Sequence, residues 1–98
     1  VWWDGTTDHL SPAQSMTTGS WYHVAIAVEL GVTNGSRWYL NGVSLGTFTA
    51  PNFSENPTGL YVGGEGVGTT RWNGILDDVR IYDMTLTPSQ IADLYNSY

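Results

Sequence analysis

Two adjacent carboxylates, Asp77 and Asp78, are the residues whose types most directly suggest catalysis or calcium binding. The apolar alternation around them predicts one long strand over residues 71–84, and neighbouring side chains of a strand point to opposite faces. We therefore expect Asp78 to pair with Arg80, and Asp77 to accept backbone or hydroxyl hydrogen bonds at the sheet margin. A retaining glycosidase needs two carboxyl groups about 5 to 5.5 Å apart, whereas Asp77 and Asp83 are six residues apart. The pattern does not support hydrolysis of glycosidic bonds.

Loop acids and the two histidines are the candidates for a metal site. Asp4 and Asp8 bracket an oxygen-rich loop, and Glu65 lies in a glycine-rich loop. Calcium prefers carboxylate and carbonyl oxygens, so these three acids are the candidate calcium ligands. His9 has no neighbours that complete a site, and we expect His23 to be a packed, hydrogen-bonded residue of a sheet.

The aromatic residues are the clearest indication of a ligand, since the chain contains five tryptophans and six tyrosines. The apolar C–H face of a sugar stacks on such rings, while amides and charged side chains bind its hydroxyls. Aromatic side chains also fill cores and interfaces because each buries a large area, so the same rings are candidates for a self-association surface. The candidate ligand-binding residues are Trp3, Tyr61 and Trp72 for stacking and Glu65, Arg71 and Asn73 for polar contacts.

The composition excludes several classes of protein. Of the 98 residues 41% are hydrophobic and only 12% are charged, with no cysteine, no lysine and a net charge of −6. A disulfide or cysteine–zinc framework is therefore excluded, and no apolar run approaches the roughly 20 residues of a membrane span. Three arginines against nine acids leave too few cations for a nucleic-acid binder.

The elements that must position these residues are mostly strands. Residues 21–30 alternate with apolar groups on both faces, which predicts a central, covered strand. Asn41 and Gly42 separate two β-rich runs, 36–40 and 43–49, and this dipeptide is the strongest short hairpin signal because both turn residues need positive φ. Residues 4–20 are interpreted as a loop with room for one short strand, and the remaining predicted strands are 60–63 and 71–84.

The C-terminal residues predict a short helix. Thr87 is the expected N-cap, Pro88 suits the first helical position, and Gln90 is placed to complete a capping box. The apolar residues Ile91, Leu94 and Tyr95 follow at helical spacing. The whole pattern is an all-β domain of five or six strands closed by one helix.

Five segments, in order, resemble laminin-G-like, concanavalin A-like jelly rolls related to the pentraxins. Residues 21–25 resemble the family's Trp-x-His-Val-Ala strand, and residues 38–43 its Leu-Tyr-x-Asn-Gly-x hairpin. The other three are residues 60–64 for Leu-x-Ile-Gly-Gly, residues 73–82 for Phe-x-Gly-x-Ile-Asp-Asp-Val-Arg-Ile-Tyr, and residues 86–95 for the closing Leu-Ser-x-x-Glu-Ile and Leu-Tyr.

This resemblance implies an antiparallel β-sandwich, and the matching segments belong to its C-terminal half. We expect residues 1–98 to form a half-domain, with family motifs over 21–95, whose open edges and apolar faces a second copy covers in a homodimer. The family also implies an extracellular or cell-surface module that binds carbohydrate or mediates adhesion without catalysis. Glu65 falls where pentraxin-like members carry calcium ligands. A structural or assembly module without a small ligand is the alternative.

Overall fold

The computed structural model describes residues 2–3, 8–52, 61–64, 69 and 71–98. Strands β1 and β2 form a two-stranded antiparallel sheet, and β3, β4 and β5 form a three-stranded antiparallel sheet in that spatial order. One helix follows near the C-terminus. The elements are β1 Trp2–Trp3, β2 Asp8–His9, β3 Val24–Ala27, β4 Ser36–Leu40, β5 Val43–Phe48 and α1 Pro88–Asn96.

The hairpin of β4 and β5 confirms the prediction made from Asn41 and Gly42. Both turn residues have positive φ, 51° and 77°, as a two-residue hairpin turn requires. The strands pair from Ser36 opposite Phe48 to Leu40 opposite Val43, with a register shift between Trp38 and Tyr39. A Cβ on Gly42 would lie 3.2 Å from Cδ1 of Tyr95, so the turn packs directly against α1.

Strand β3 is shorter than predicted and, among the described residues, lies at the edge of its sheet, so the expectation of a central strand over 21–30 is wrong. The central strand is β4. Hydrogen bonds outside the ladder limit β3 at both ends. The backbone N–H of His23 donates to Oδ1 of Asn41 at 2.9 Å, and the N–H of Glu29 donates to Oγ of Ser36 at 3.0 Å. Backbone groups bonded in this way cannot continue a strand ladder.

The two faces of the three-stranded sheet have different coverings. Ala27 and Tyr39 pack against Ile91 of α1, with Ala25 and Leu86 at the margin, and these residues form the small core. Trp38 belongs to the other face, where its ring lies 5.7 Å from that of Phe48. We call these the helix face and the Trp38 face.

Helix α1 begins as predicted. The side chain of Thr87 accepts from the N–H of Gln90 at 3.2 Å, and the N–H of Thr87 donates to Oε1 of Gln90 at 2.9 Å. With Pro88 in the first turn this is a complete capping box, which satisfies N–H groups that have no partner inside the helix. The buried residue of the helix is Ile91, which fixes α1 on the sheet.

The predicted long strand over residues 71–84 does not form. Arg71 makes an isolated antiparallel bridge to Gly64, and residues 72–84 pair with no strand in the described part of the chain. Asp78 has a left-handed φ of 52°, which interrupts an extended backbone. The predicted strand over 60–63 is also absent from residues 61–63, and residue 60 lies outside the described residues.

Candidate functional site

The segments that contain Tyr61 and Trp72, which the sequence predicted as strands, lie next to each other in a short antiparallel pairing. Gly64 and Arg71 are bridge partners, and the N–H of Trp72 donates to the carbonyl oxygen of Gly63 at 2.8 Å. Gly63 has a φ of +79°, which glycine adopts without steric cost. The backbone therefore brings residues 61–64 alongside residues 71–73, although these segments are separated in the sequence.

The rings of Tyr61 and Trp72 are open to solvent at this pairing, being 64% and 54% exposed. A Cβ on Gly74 would lie 2.9 Å from Nε1 of Trp72, so the indole lies over a position that only glycine leaves free. A Cβ on Gly63 would similarly meet Cδ1 of Leu76 at 2.8 Å. Two glycines thus make room for the side chains that surround this surface.

Four of the predicted ligand-binding residues lie in these two adjacent segments. Tyr61, Arg71, Trp72 and Asn73 are all exposed, and we call them the Trp72 surface. Glu65 lies outside the described residues. Trp3 lies in β1, whose described pairing is with β2, and its side chain is likewise outside the described part.

The candidate calcium ligands stay predictions. Asp4 and Glu65 lie outside the described residues, and for Asp8 the structure describes the backbone of β2. Within the described ranges no three histidine, aspartate or glutamate side chains come together as a metal site.

A polar cluster that the sequence indicated only in part lies at the end of α1. Asp78 and Arg80 form the predicted pair, with Oδ1 to Nε and Oδ2 to Nη2 both at 2.9 Å. The hydroxyl of Tyr98 also donates to Oδ2 of Asp78, a contact that no local sequence signal indicates. The N–H of Asp78 donates to Oδ1 of Asp77 at 2.8 Å, so Asp77 accepts a backbone hydrogen bond as expected.

Hydrogen bonds within this cluster shift the pKa of its members. The Arg80 guanidinium, and then the Tyr98 hydroxyl, hold the pKa of Asp78 below its ordinary value because both donate to the charged carboxylate. The same contact with Asp78 raises the pKa of Arg80. It also raises the pKa of Tyr98, whose proton is held by the carboxylate.

His23 is packed at the edge of this cluster. Its ring centroid lies 6.1 Å from that of Tyr95 and 5.7 Å from that of Tyr98. Its backbone N–H is hydrogen-bonded to Asn41, whereas its buried Nδ1 has no hydrogen-bond partner among the described residues. The expectation of a packed, hydrogen-bonded sheet residue therefore holds for the ring packing and the backbone, and His23 lies immediately before β3.

The sheet, the hairpin and the capped helix fit a known family. The model of the Concanavalin A-like lectin/glucanases superfamily, in its laminin G form, matches residues 1–92. The chain belongs to this superfamily. The match confirms the fold class predicted from the motifs and includes the first twenty residues, in which no motif was recognised.

Proteins similar to this laminin-G-like chain include a receptor, by sequence, and an S-layer domain-containing protein, by fold. It is 32% identical to Adhesion G-protein coupled receptor V1 of Danio rerio over 86% of the chain, which spans 1% of that receptor. The solved structure of an S-layer domain-containing protein (residues 221–444) from Clostridium thermocellum is similar in fold, with a TM-score of 0.66 and 23% identity. That similarity covers 85% of this chain and 42% of the S-layer chain.

Within the described residues, no helix of this laminin-G-like chain is both long enough and apolar enough to cross a membrane.

Proposed function

We propose that this chain is an extracellular, non-catalytic module that binds carbohydrate, and that the Trp72 surface is its binding site. The observation that carries the proposal is that two solvent-exposed rings, Tyr61 and Trp72, lie in segments that the bridge of Gly64 and Arg71 brings together. Exposed apolar surface costs free energy in water and usually marks an interaction site. The adhesion receptor and the S-layer protein among the relatives support a place at the cell surface.

The chemistry of the Trp72 surface suits a sugar ring. The apolar C–H face of a pyranose loses its contact with water when it stacks on the indole of Trp72 or the phenol ring of Tyr61. Sugar hydroxyls at the ring edge accept hydrogen bonds from the guanidinium of Arg71 and both donate to and accept from the amide of Asn73. No step of this binding transfers a proton or breaks a bond, so the module acts by adhesion alone.

A glycan array tests this proposal with two tryptophan variants. We expect the wild-type chain to bind a subset of neutral glycans and Trp72→Ala to lose that signal while its circular dichroism spectrum is retained. Trp21→Ala is the matched control, because Trp21 is 68% exposed but lies far along the chain from the paired segments. Loss of signal in both variants, or no signal on any glycan with or without calcium, would refute the carbohydrate site.

Gly74→Ala tests the position of the ring as well as its presence. The new Cβ would lie 2.9 Å from Nε1 of Trp72, so the indole must shift while every aromatic residue is kept. We expect weaker glycan binding than in wild type and stronger binding than in Trp72→Ala. Unchanged affinity would show that the ring position over Gly74 is not used.

Calcium is proposed as an additional ligand of Asp4, Asp8 and Glu65, the acids singled out by the sequence and, for Glu65, by the family resemblance. Titration calorimetry with calcium should show binding that Glu65→Gln weakens. Removal of calcium by a chelator would then lower glycan binding only if the metal orders the Trp72 surface. Absence of any calcium heat would refute the site without affecting the stacking proposal.

The second candidate function is assembly, and a specific observation favours it. Residues 72–84 have no strand partner in the described part of the chain and leave Ile75, Val79, Ile81 and Met84 more than half exposed. We propose that a second copy covers this apolar segment, which completes a sheet that the chain alone leaves open. A homodimer of standard size would bury roughly 800 Å² on each copy.

Light scattering at increasing protein concentration tests the dimer. We expect a dimer that Ile81→Glu converts to monomer, because a charge buried without a partner is costly. Val43→Glu is the matched control, since Val43 is also exposed but belongs to β5. A wild-type monomer at every micromolar concentration would refute self-association, and a dimer unaffected by Ile81→Glu would place the interface elsewhere.

A further inference from the structure

The middle of residues 71–84 has a backbone conformation that conflicts with its sequence pattern. Val79 and Ile81 occupy alternate positions, as in a strand with one apolar face. The preceding residue, Asp78, instead has a left-handed φ of 52°. A residue other than glycine adopts this conformation at a cost in free energy, and such strain persists only where surrounding contacts maintain it. The contacts of Asp78 therefore decide which conformation this segment takes.

The carboxylate of Asp78 accepts hydrogen bonds from two side chains. The guanidinium of Arg80 donates to both carboxylate oxygens at 2.9 Å, and the hydroxyl of Tyr98 donates to Oδ2. Residues two positions apart share a face of a strand, so the ion pair with Arg80 is compatible with an extended backbone as well. Tyr98 is twenty positions away, so its contact fixes where the carboxylate points relative to the rest of the chain.

Tyr98 is itself held by neighbouring elements. Its backbone N–H donates to the carbonyl oxygen of Tyr95, at the end of α1, at 3.3 Å. Its ring lies 5.7 Å from that of His23, immediately before β3. Helix α1 is fixed on the sheet by the buried Ile91. The hydroxyl that bonds to Asp78 is thus tied to the helix and to the start of β3.

The segment that contains Asp78 is also attached to other backbone on both sides of this contact. At one end Arg71 bridges Gly64. At the other end the hydroxyl of Thr85 donates to the carbonyl oxygen of Val28 at 2.6 Å. These two attachments do not require a left-handed residue between them, whereas the contact with Tyr98 holds the carboxylate in the direction that the left-handed backbone gives it.

We propose that the hydrogen bond from Tyr98 to Asp78 is a conformational lock that keeps residues 75–82 out of the strand conformation. When the lock is released, Asp78 becomes extended and the backbone N–H and C=O groups of the segment pair with a partner strand. That partner is the second copy proposed above, so the effect on assembly rests on that proposal, whereas the lock is a property of the single chain. The locked chain lowers the apparent affinity of the dimer, because only the released chain pairs.

Nuclear magnetic resonance tests the lock at concentrations where light scattering shows a monomer. We expect a strong intraresidue NOE between Hα and the N–H of Asp78, as a left-handed residue gives. Tyr98→Phe keeps the ring beside His23 and loses the hydroxyl, so this NOE should weaken and the carbon shifts of residues 75–82 should move toward those of an extended chain. Tyr95→Phe is the matched control, because Tyr95 also packs on His23 but is not among the described side-chain partners of Asp78.

Light scattering over a range of concentrations measures the effect of the lock on assembly. Tyr98→Phe removes one net hydrogen bond from the competing locked monomer, so the dissociation constant of the dimer should fall roughly 2- to 10-fold. Tyr95→Phe should leave that constant unchanged.

Two substitutions of Asp78 separate the backbone conformation from the hydrogen bonds. Asp78→Gly and Asp78→Thr both remove the carboxylate. Glycine adopts a left-handed φ without steric cost, whereas a β-branched residue strongly disfavours it. We expect Asp78→Thr to tighten the dimer more than Asp78→Gly. Equal dissociation constants for the two variants would contradict a lock based on the left-handed backbone.

The lock and the dimer fail in different measurements. An NOE and carbon shifts that are unchanged in monomeric Tyr98→Phe would overturn the lock, whatever the oligomeric state. A weaker dimer in Tyr98→Phe than in wild type would also overturn it, since the hydroxyl would then support the interface. A weakened NOE in a Tyr98→Phe chain that stays monomeric at every concentration would refute the dimer and support the lock.

Discussion

Residues 36–48 and residues 71–84 have similar sequence patterns and different structures. Both alternate apolar and polar residues and are rich in β-branched and aromatic types, yet the first forms the β4–β5 hairpin and the second makes no ladder in the described part of the chain. The hairpin carries its own partner, because Asn41 and Gly42 reverse the chain and set the register. The second segment needs a partner distant in sequence. Alternation therefore encodes which residues share a face, whereas a strand requires a neighbour.

The largest expected change in stability comes from truncating a core residue of the hairpin, and the matching truncation in residues 71–84 provides the comparison. Tyr39 is 2% exposed and lies in the core, so Tyr39→Ala should lower the free energy of unfolding by about 3–5 kcal/mol. Ile81 is 70% exposed in the single chain, so at concentrations where the chain is monomeric Ile81→Ala should change this free energy by less than about 0.5 kcal/mol. Urea denaturation measures both. A comparable loss in Ile81→Ala, increasing with protein concentration, would show that a partner buries residues 71–84 in solution.

The hairpin turn provides the second test. Gly42→Ala places a side chain at a φ of 77° and against Tyr95, so it should destabilise the fold by about 1–3 kcal/mol. Gly19→Ala is a matched control, since Gly19 has a φ of +88° with nothing within 4 Å of the added Cβ. Thermal unfolding of the two variants separates backbone strain from the contact with α1. Equal losses would show that the packing of Tyr95 on the turn contributes nothing.

Removing the N-cap of α1, the helix that packs against the hairpin, should have a smaller effect on stability. Thr87→Ala removes the side chain that accepts from Gln90 and should cost about 1 kcal/mol of stability. Because α1 covers the helix face of the hairpin, amide hydrogen exchange should become faster in β4 as well as in the helix. Ser89→Ala lies one residue past Pro88 and outside the capping box, so it should leave both measurements near wild type.

The smallest expected effect on stability comes from Asp78 in residues 71–84, and it depends on pH. The pKa of Asp78 is lowered in the folded chain, so its contacts with Arg80 and Tyr98 stabilise the fold above the unfolded pKa of Asp, about 3.9. This contribution is lost as the pH falls through the lower folded pKa. A carboxyl NMR titration should show the Asp78 pKa rising in Arg80→Gln and rising less in Tyr98→Phe. An Asp78 pKa that does not rise in Arg80→Gln would show that the ion pair is absent in solution.

Local signals accounted for the parts of the fold that the sequence predicted correctly. The hairpin at Asn41 and the capping box at Thr87 depend on residues within four positions of each other, so their geometry follows from side-chain chemistry alone. The central position predicted for residues 21–30 was wrong, because β4 lies between β3 and β5 in the described sheet. Strand β3 is also short, because the backbone N–H groups of His23 and Glu29 donate to side chains that are distant in sequence. Apolar residues on both faces do not reveal which strand lies in the middle of a sheet.

In the candidate site, too, contacts between residues close in sequence were predictable and contacts between distant residues were not. Residue type alone made Tyr61 and Trp72 candidates for stacking, and the bridge of Gly64 to Arg71 brings their segments together. The Asp78–Arg80 pair was predictable because the residues are two positions apart. Tyr98 was missed, since it reaches Asp78 across twenty positions.

Asn41 has a consequence for any attempt to redesign this domain. Besides adopting the left-handed turn conformation, its Oδ1 accepts from the N–H of His23 and its own N–H donates to the carbonyl oxygen of His23 at 2.7 Å. One residue therefore both reverses the β4–β5 hairpin and anchors the start of β3. A designer who substitutes glycine, which also suits the turn, would keep the hairpin and the backbone bond to His23 but would lose the side-chain bond at the start of β3. Asn-Gly and Gly-Gly both suit a two-residue hairpin turn, but they are not equivalent at residues 41–42 of this chain.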